Sequence, residues 1–496
     1  MKIISTASMR ELERRAMAQG ISGEQMMAEA GRNAAREIRR EMELRPTLRR
    51  VVIVTGKGNN AGDGIVAASH LKMPVVIVPV SPLQELRGEA GFHAGKLPPD
   101  IPVADPEHFV FEEDDLIVDA LLGIGISGTV REPFARWIGR INDSGCPVIA
   151  LDLPSGLDGD SGMVCGCAVR ADLTITFGLP KPGLFCGEGV AHSGVLRCVS
   201  IGTPAALAED LPVEAEAFFA ADARQLLKPI PVDAHKNSRG RVLIAAGSAR
   251  YPGAAALTAL ATIRTGSGYV RLATPGRLPY PLPAALVQTV LPADPEGCFD
   301  RTAIRALGEL LPLADAVAAG PGWGNGAALP EVLRFLLDSG VPSVLDADAL
   351  NLLAQQKIRP MRENVILTPH PGEAARLAAA WKIPANLSRC QLAAALAEAS
   401  GCTVLLKGPR SVAASPDGKC CMNSSGTSAL AIAGSGDVLT GAVAALLASG
   451  LAPYDAVRLG AFLHGAAGET VPRHGLCADD LPDRIRSAAA QAAPRC

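Results

Sequence analysis

The chain has 496 residues, and its 47 Lys+Arg against 50 Asp+Glu give a formal net charge of −3. That length exceeds what one hydrophobic core organises, so two or three domains are expected. Hydrophobic residues at 48% and charged residues at 20% exclude a disordered chain, and the near balance of charge argues against a general binder of nucleic acid or anionic membrane. Aromatics at 4% leave the cores to Ala, Val, Leu and Ile.

Nothing before Arg10 and Glu11 has the length of a signal-peptide apolar core, so export by a general signal is not expected. Two uncharged stretches, 420–436 and 438–454, are each 17 residues long, carry Gly and Ser, and are separated by Asp437. A spanning helix wants about 20 mostly apolar residues, so no membrane segment is expected. The 12 cysteines contain no CxxC and no second pair at zinc-site spacing. Scattered buried thiols in a reducing cytoplasm are the reading, and the expected location is cytoplasmic.

In chain order, residues 7–40 read as helix, with apolar and small residues at helical spacing. Short β-branched runs follow at 50–56, 74–79, 116–119, 147–152 and 173–177. Continuous runs without alternation suggest strands buried on both faces, as in a parallel sheet covered by helices. Residues 203–233 change character: Pro and Ala rise and glycine disappears. The boundary is placed near 212–222, giving domains 1–212 and 222–496. A second series of runs covers 241–245, 269–273, 316–319, 342–346, 365–368 and 403–407. Both halves are therefore expected to be α/β, the first a Rossmann-like doubly wound domain.

The first polar segment is Gly56-Lys-Gly-Asn-Asn-Ala-Gly-Asp-Gly64, after a strand and before the apolar Ile65-Val-Ala-Ala. A glycine-rich turn at a helix N-terminus makes an anion site, and glycines let a pyrophosphate approach the backbone. A tight turn is the bland alternative. The segment is neither a Rossmann G-x-G-x-x-G nor a P-loop. Two more loops lie at strand ends, Asp119-Ala-Leu-Leu-Gly-Ile-Gly125 and Asp152-Leu-Pro-Ser-Gly156. Either Asp alone reads as a helix cap; three polar loops on one sheet edge read as a ligand site.

These three segments resemble the N-terminal epimerase domain of the bifunctional NAD(P)H-hydrate repair family (YjeF-type). Its pattern is Gly-x-Gly-Asn-Asn-Gly-Gly-Asp-Gly, Asp-Ala-Leu-Leu-Gly-x-Gly and Asp-x-Pro-Ser-Gly. Ala61 stands where the family usually has Gly, which would narrow the cradle or exclude a positive φ there. The resemblance implies that Asn59, Asn60, Ala61, Gly62 and Asp63 contact the hydrated dinucleotide. It implies the same of Gly123, Ile124, Gly125, Ile126, Ser127, Gly128, Thr129 and Asp152. It further implies a potassium ion held by Asn60, Asp119 and Ser155, all oxygen donors suited to a hard cation. Asp119 is the candidate for proton transfer.

The second half carries His235-Lys-Asn-Ser-Arg-Gly240, Tyr251-Pro-Gly-Ala254, Gly320-Pro-Gly-Trp-Gly324, Leu345-Asp-Ala-Asp-Ala-Leu350, Thr368-Pro-His-Pro-Gly-Glu373, Leu406-Lys-Gly408 and Ala433-Gly-Ser-Gly-Asp437. Gly and Ser N–H groups at a helix start stabilise phosphoryl charge in transit, and the following Asp can accept a hydroxyl proton. The layout resembles the anion hole and base of ribokinase-like kinases. The ordered series resembles the dehydratase domain of the same repair family, over roughly residues 222–485. That resemblance implies a ribokinase-like α/β domain in which Ala254, Gly322, His370 and Asp437 bind the hydrated dinucleotide. Lys407, Gly408, Pro409, Arg410, Ser411 and Gly436 would hold the adenine nucleotide, with Mg²⁺ accompanying ADP. Ser411 replaces the family's Thr and keeps a hydroxyl.

Taken whole, the resemblance implies epimerisation of the R and S hydrates of NADH and NADPH and ADP-dependent dehydration of the S form. Asp119 and Asp437 are the catalytic candidates. The expected partners are these small molecules and further copies of the chain, with no nucleic acid and no membrane. A ribokinase-type kinase releasing a stable phosphate ester is the first rival. The second is a non-catalytic N-terminal module, against which Asn60, Asp119 and Ser155 weigh.

Overall fold

The computed structural model describes residues 1–126, 128–470 and 475–493. Two compact units divide the chain, Met1–Ala217 and Phe218–Cys496.

In the first unit, β1 (Lys2–Ile3) pairs antiparallel with β8 (Ala215–Phe218), a strand that crosses the unit boundary. Between them run β2 (Arg50–Thr55), β3 (Val75–Pro79), β4 (Asp115–Ala120), β5 (Val148–Leu151), β6 (Leu173–Phe177) and β7 (Val195–Val199). These six form one parallel sheet in the order β3-β2-β4-β5-β6-β7. That is the flavodoxin-like variant of the doubly wound sheet. Both faces are buried: along β2, Val51 and Ile53 join one core with Met27, Ala34 and Ile38, while Val52 and Val54 join another with Trp137, Ile138 and Ile141. A period of two with no polar face is why the strand reads as a continuous apolar run.

The expected helix over 7–40 is two helices, Thr6–Ala18 and Gly23–Leu44. Gly20 takes φ +88°, a left-handed conformation that favours glycine. Ser22 then caps the second helix reciprocally with Gln25. Apolar periodicity runs through the break and hides it.

The second unit contains β9 (Arg241–Ala245), β10 (Tyr269–Thr274), β11 (Val287–Val290), β12 (Ala316–Ala319), β13 (Ser343–Leu345), β14 (Val365–Leu367), β15 (Thr403–Leu406), β16 (Val412–Ala414) and β17 (Cys420–Asn423). Their order is β17-β16-β15-β14-β13-β12-β9-β10-β11. Strands β9 to β15 are parallel, and β15-β16-β17 is an antiparallel meander. Val242 and Ile244 of β9 face one core, Leu243 and Ala245 the other. Helix Ser435–Ala448, the apolar part of the stretch tested above as a membrane segment, packs into the first of these cores. No helix among the described residues is long and apolar enough to cross a membrane. Cys146, Cys298, Cys402 and Cys421 are buried, whereas Cys186 and Cys477 are exposed, so the reading of scattered buried thiols holds for only some of them.

Candidate active sites

In the first unit the winding reverses at β2, which has β3 on one side and β4 on the other. Open α/β sheets bind ligands beyond the carboxyl ends of the strands at such a reversal. A cavity of about 550 Å³ opens there, with Asn59, Asn60, Asp63, residues 123–126 and Asp152 on its wall. Ala61 and Gly62 are buried beneath that wall, Gly128 and Thr129 are not part of it, and Ser127 lies outside the described residues.

The segment Gly56–Gly64 is not the loop expected. Helix Asn59–His70 begins inside it, capped at Gly58. A Cβ on Gly56 would collide with the Leu121 carbonyl, one on Gly62 with the Met27 sulfur, and one on Gly64 with the Ala120 side chain. These three glycines let the helix and the strand ends approach; Gly58 alone of the four faces open space. Ala61 is helical and fully buried, so no positive φ is needed there.

Beneath the cavity, Asp119 at the end of β4 is 0% exposed. Its carboxylate accepts from Leu121 N (3.2 Å), Ser155 N (2.8 Å) and Ser155 Oγ (2.6 Å). Burial pushes it up to about 6, against the pull of the Ser155 and Leu121 hydrogen bonds, and no cationic side chain contributes. Asn60 Nδ2 donates to the carbonyls of Leu122 (2.9 Å) and Leu151 (3.0 Å), while its Oδ1 is buried with no hydrogen-bond partner among the described residues. An orphaned amide oxygen, an uncompensated carboxylate and a hydroxyl therefore share one dry site. That donor set fits a hard monovalent cation. Asp119 is not among the residues of the cavity wall; the hydrogen bonds of Ser155 and Leu121 hold it at the end of β4.

The titratable groups on the wall are others. Asp152, held at φ +62°, pairs with Lys181, whose Nζ reaches Asp152 Oδ1 at 2.5 Å, Phe177 O at 2.9 Å and Thr176 Oγ1 at 3.3 Å. The Lys181 side chain is 1% exposed. Asp63 is pushed well above the ordinary carboxylate range, first by desolvation and then by Asp152 and Glu13, with Lys181 opposing. Glu13, from helix Thr6–Ala18, is raised by desolvation.

In the second unit the winding reverses at β9, between β10 and β12. Gly247 N donates to Pro321 O across that point (2.8 Å). Gly322, at φ +64°, lies where a Cβ would strike Tyr251 O and the Ala254 methyl, so Ala254 and Gly322 are neighbours. Thr258 Oγ1 donates to Ala254 O (2.9 Å) and Asp437 O (3.2 Å), tying helix Pro252–Thr265 to helix Ser435–Ala448.

Asp437 sits in the first turn of helix Ser435–Ala448. Burial and then Asp346 push its carboxyl up to about 7, with Lys407 pulling the other way. Lys407 Nζ binds Asp346 Oδ1 (2.7 Å), and Thr440 Oγ1 donates to Asp346 Oδ2 (2.7 Å). Gly436 lies over this pair: a Cβ there would stand 3.4 Å from Lys407 Nζ. Buried His464 contacts Ser435 O (3.0 Å) and Ser435 Oγ (3.1 Å), and desolvation lowers its imidazole to about 4. It therefore holds the Ser435 turn as a neutral ring. His370 caps helix Pro371–Trp381, with its side chain 50% exposed and Nε2 3.3 Å from Glu373 Oε1. Desolvation, then Lys407 and Arg376, lowers its imidazole, and burial raises Glu373 to about 7.

Lys407, Gly408, Pro409, Arg410 and Ser411 join β15 to β16. The Arg410 side chain is turned inward, donating to Ser424 O (2.8 Å), so only its backbone belongs to the loop surface. Asp346, Glu373, Thr440, His464 and Lys181 were not among the expected site residues. Asp346 and Glu373 carried a signal: each stands in one of the quoted polar segments, and Asp346 ends an apolar run like Asp119 and Asp152.

The second unit has the fold of a ribokinase-like protein of Enterococcus faecalis V583: TM-score 0.51, 21% identity, 57% of this chain and 99% of that one. The family described as NAD(P)H-hydrate dehydratase matches residues 242–490, and that described as YjeF-related protein N-terminus matches residues 23–183. The chain belongs to the bifunctional NAD(P)H-hydrate repair enzymes: it is 36% identical to the one of Moorella thermoacetica over 97% of this chain and 96% of that relative. The Escherichia coli K12 relative is 35% identical over 93% of this chain and 88% of its own length. It is thus an enzyme with NAD(P)H-hydrate epimerase and dehydratase domains.

Proposed function

We propose that the first unit interconverts the R and S hydrates of NADH and NADPH, and that the second dehydrates the S hydrate at the expense of ADP. The observation that carries the second half is Asp437 at a helix N-terminus, beside Lys407 and Asp346, with its carboxyl raised to about 7. Water added at C6 of the nicotinamide ring leaves a hydroxyl, a poor leaving group. Phosphorylation makes elimination feasible, pushed by the ring nitrogen lone pair. Asp437 would take the hydroxyl proton, and the N–H groups of Gly434, Ser435 and Gly436 would face the phosphoryl charge. Lys407, Gly408 and Gly436 would hold the nucleotide, with the backbone of Pro409 and Arg410 and the Ser411 hydroxyl. Ala254, Gly322 and His370 would hold the dinucleotide.

Among the described residues no three His, Cys, Asp or Glu side chains converge on a metal. Mg²⁺ would therefore arrive on nucleotide phosphates, keeping waters, as this ion commonly does. Potassium, held by Asn60, Asp119 and Ser155, would supply a fixed positive charge under the first cavity. The test is to incubate the protein with mixed-epimer NADH hydrate and follow NADH absorbance with and without ADP. Full recovery only with ADP is expected. A stable phosphorylated product would make the second unit a kinase instead.

A further inference from the structure

We propose that Asp152 and Asp63 are the base and the acid of epimerisation, acting by opening and reclosing the hydrated ring at its C6–N1 bond. This rests on the epimerase reading of the first unit. C6 of the hydrate bears both a hydroxyl and the ring nitrogen, so it is a hemiaminal. Asp152 takes the hydroxyl proton and the O–C6 bond becomes a carbonyl. The C6–N1 electron pair moves to nitrogen, which receives the proton of Asp63. The product is an open aldehyde with an N–H group. Rotation about C5–C6 presents the other carbonyl face, and the reverse transfers close the opposite epimer. Atoms and electrons balance with no oxidant, reductant or other reactant.

Three features of the cavity assign these roles. Asp63 and Asp152 are both on its wall, within electrostatic reach of one another. Lys181, also on that wall, pairs with Asp152 through Nζ and is fixed by Thr176 Oγ1 and Phe177 O, so a carboxylate can face the ligand there without an unpaired buried charge. Among the described residues no cationic side chain forms a salt bridge with Asp63, and desolvation with Asp152 and Glu13 favours its protonated form. A carboxylate paired with an ammonium group, beside a second, desolvated carboxyl group, is an ordinary arrangement for a base and an acid. Asp119 lies beneath, off the wall, and is left to hold the cation.

The decisive variant is Asp63→Asn in the full chain. It is isosteric with the protonated acid and leaves no unpaired charge, so folding is retained. Folding is checked by circular dichroism and by the initial rate of ADP-dependent dehydration of purified S hydrate, which should equal wild type. R-to-S interconversion without nucleotide, followed by chromatography, should fall about 10²–10⁴-fold in kcat with KM little changed. Asp152→Asn should show the same loss. Interconversion at the wild-type rate in Asp63→Asn overturns the pairing. Failure of the wild-type protein to exceed the uncatalysed rate overturns the epimerase reading itself, and the two failures are thereby distinct.

Discussion

Asp119 and Asp346 occupy matching places in two different sheets. Each stands at the carboxyl end of a central apolar strand, each is buried, and each accepts a hydrogen bond from a hydroxyl side chain. Their charge is handled in opposite ways. Asp346 meets Lys407 at 2.7 Å, a cation supplied by the chain. Among the described residues Asp119 meets neutral donors alone, and it stands beside an orphaned amide oxygen. A buried carboxylate needs compensation. At Asp346 the chain itself supplies the compensating cation; at Asp119 the proposed potassium ion would supply it.

The comparison breaks most visibly at Asp437, which leans on the Lys407–Asp346 pair. Asp437→Asn should lower dehydration about 10²–10⁴-fold and leave R-to-S interconversion intact. Because the carboxyl is held at about 7 and works ionised, wild-type dehydration should fall as pH drops below 7, and the mutant's residual rate should lose that dependence. Equal pH profiles in the two proteins would remove Asp437 from proton transfer.

Removing the built-in cation is the next largest change. Lys407→Met strands a buried carboxylate, an effect of about 3–5 kcal/mol. The temperature of half-inactivation should drop for dehydration but not for interconversion; a common drop would deny that the pair belongs to one unit. Removing the borrowed cation should be milder and reversible. Potassium at a hundredfold excess over its Kd stabilises by about 2.7 kcal/mol. Adding it to dialysed protein should protect interconversion from heat, and Asn60→Leu should erase that protection. Protection of dehydration alone would place the ion elsewhere. The smallest effect sharpens the account of the first helix. Ala61→Gly restores the family's usual residue, yet inside a helix it should cost about 1 kcal/mol with interconversion unchanged. A gain in interconversion would return that position to the ligand cradle.

Much of this was legible in the sequence because parallel strands buried on both faces announce themselves as apolar runs ending in Asp or Gly. Strands β1, β7, β8, β11, β16 and β17 escaped. They are short or broken by polar residues: Val412–Ala414 has three residues, Val287–Val290 is an edge with exposed valines, and Cys420–Asn423 reads Cys-Cys-Met-Asn. The Gly56–Gly64 segment was legible as a site but not as a helix, because glycine, asparagine and aspartate all argue locally for a turn. Partnerships were least legible. Lys407 and Thr440 meet Asp346 from 61 and 94 residues away, and Lys181 meets Asp152 across 29. No spacing rule reports such distances, since they are set by strand order.

The crowding around the first glycine-rich helix also governs how this segment can diverge. Position 61 packs into the core of the first unit and has already accepted a methyl group. At 56, 62 and 64 the space for that methyl is taken by a carbonyl oxygen, a thioether and an alanine side chain. A copy of the gene drifting under selection for the fold alone would keep those three glycines even after losing its substrate. The glycine pattern by itself therefore records descent and helix docking, and on the proposed acid–base pairing retained activity has to be read from Asp63, Asp152 and Lys181.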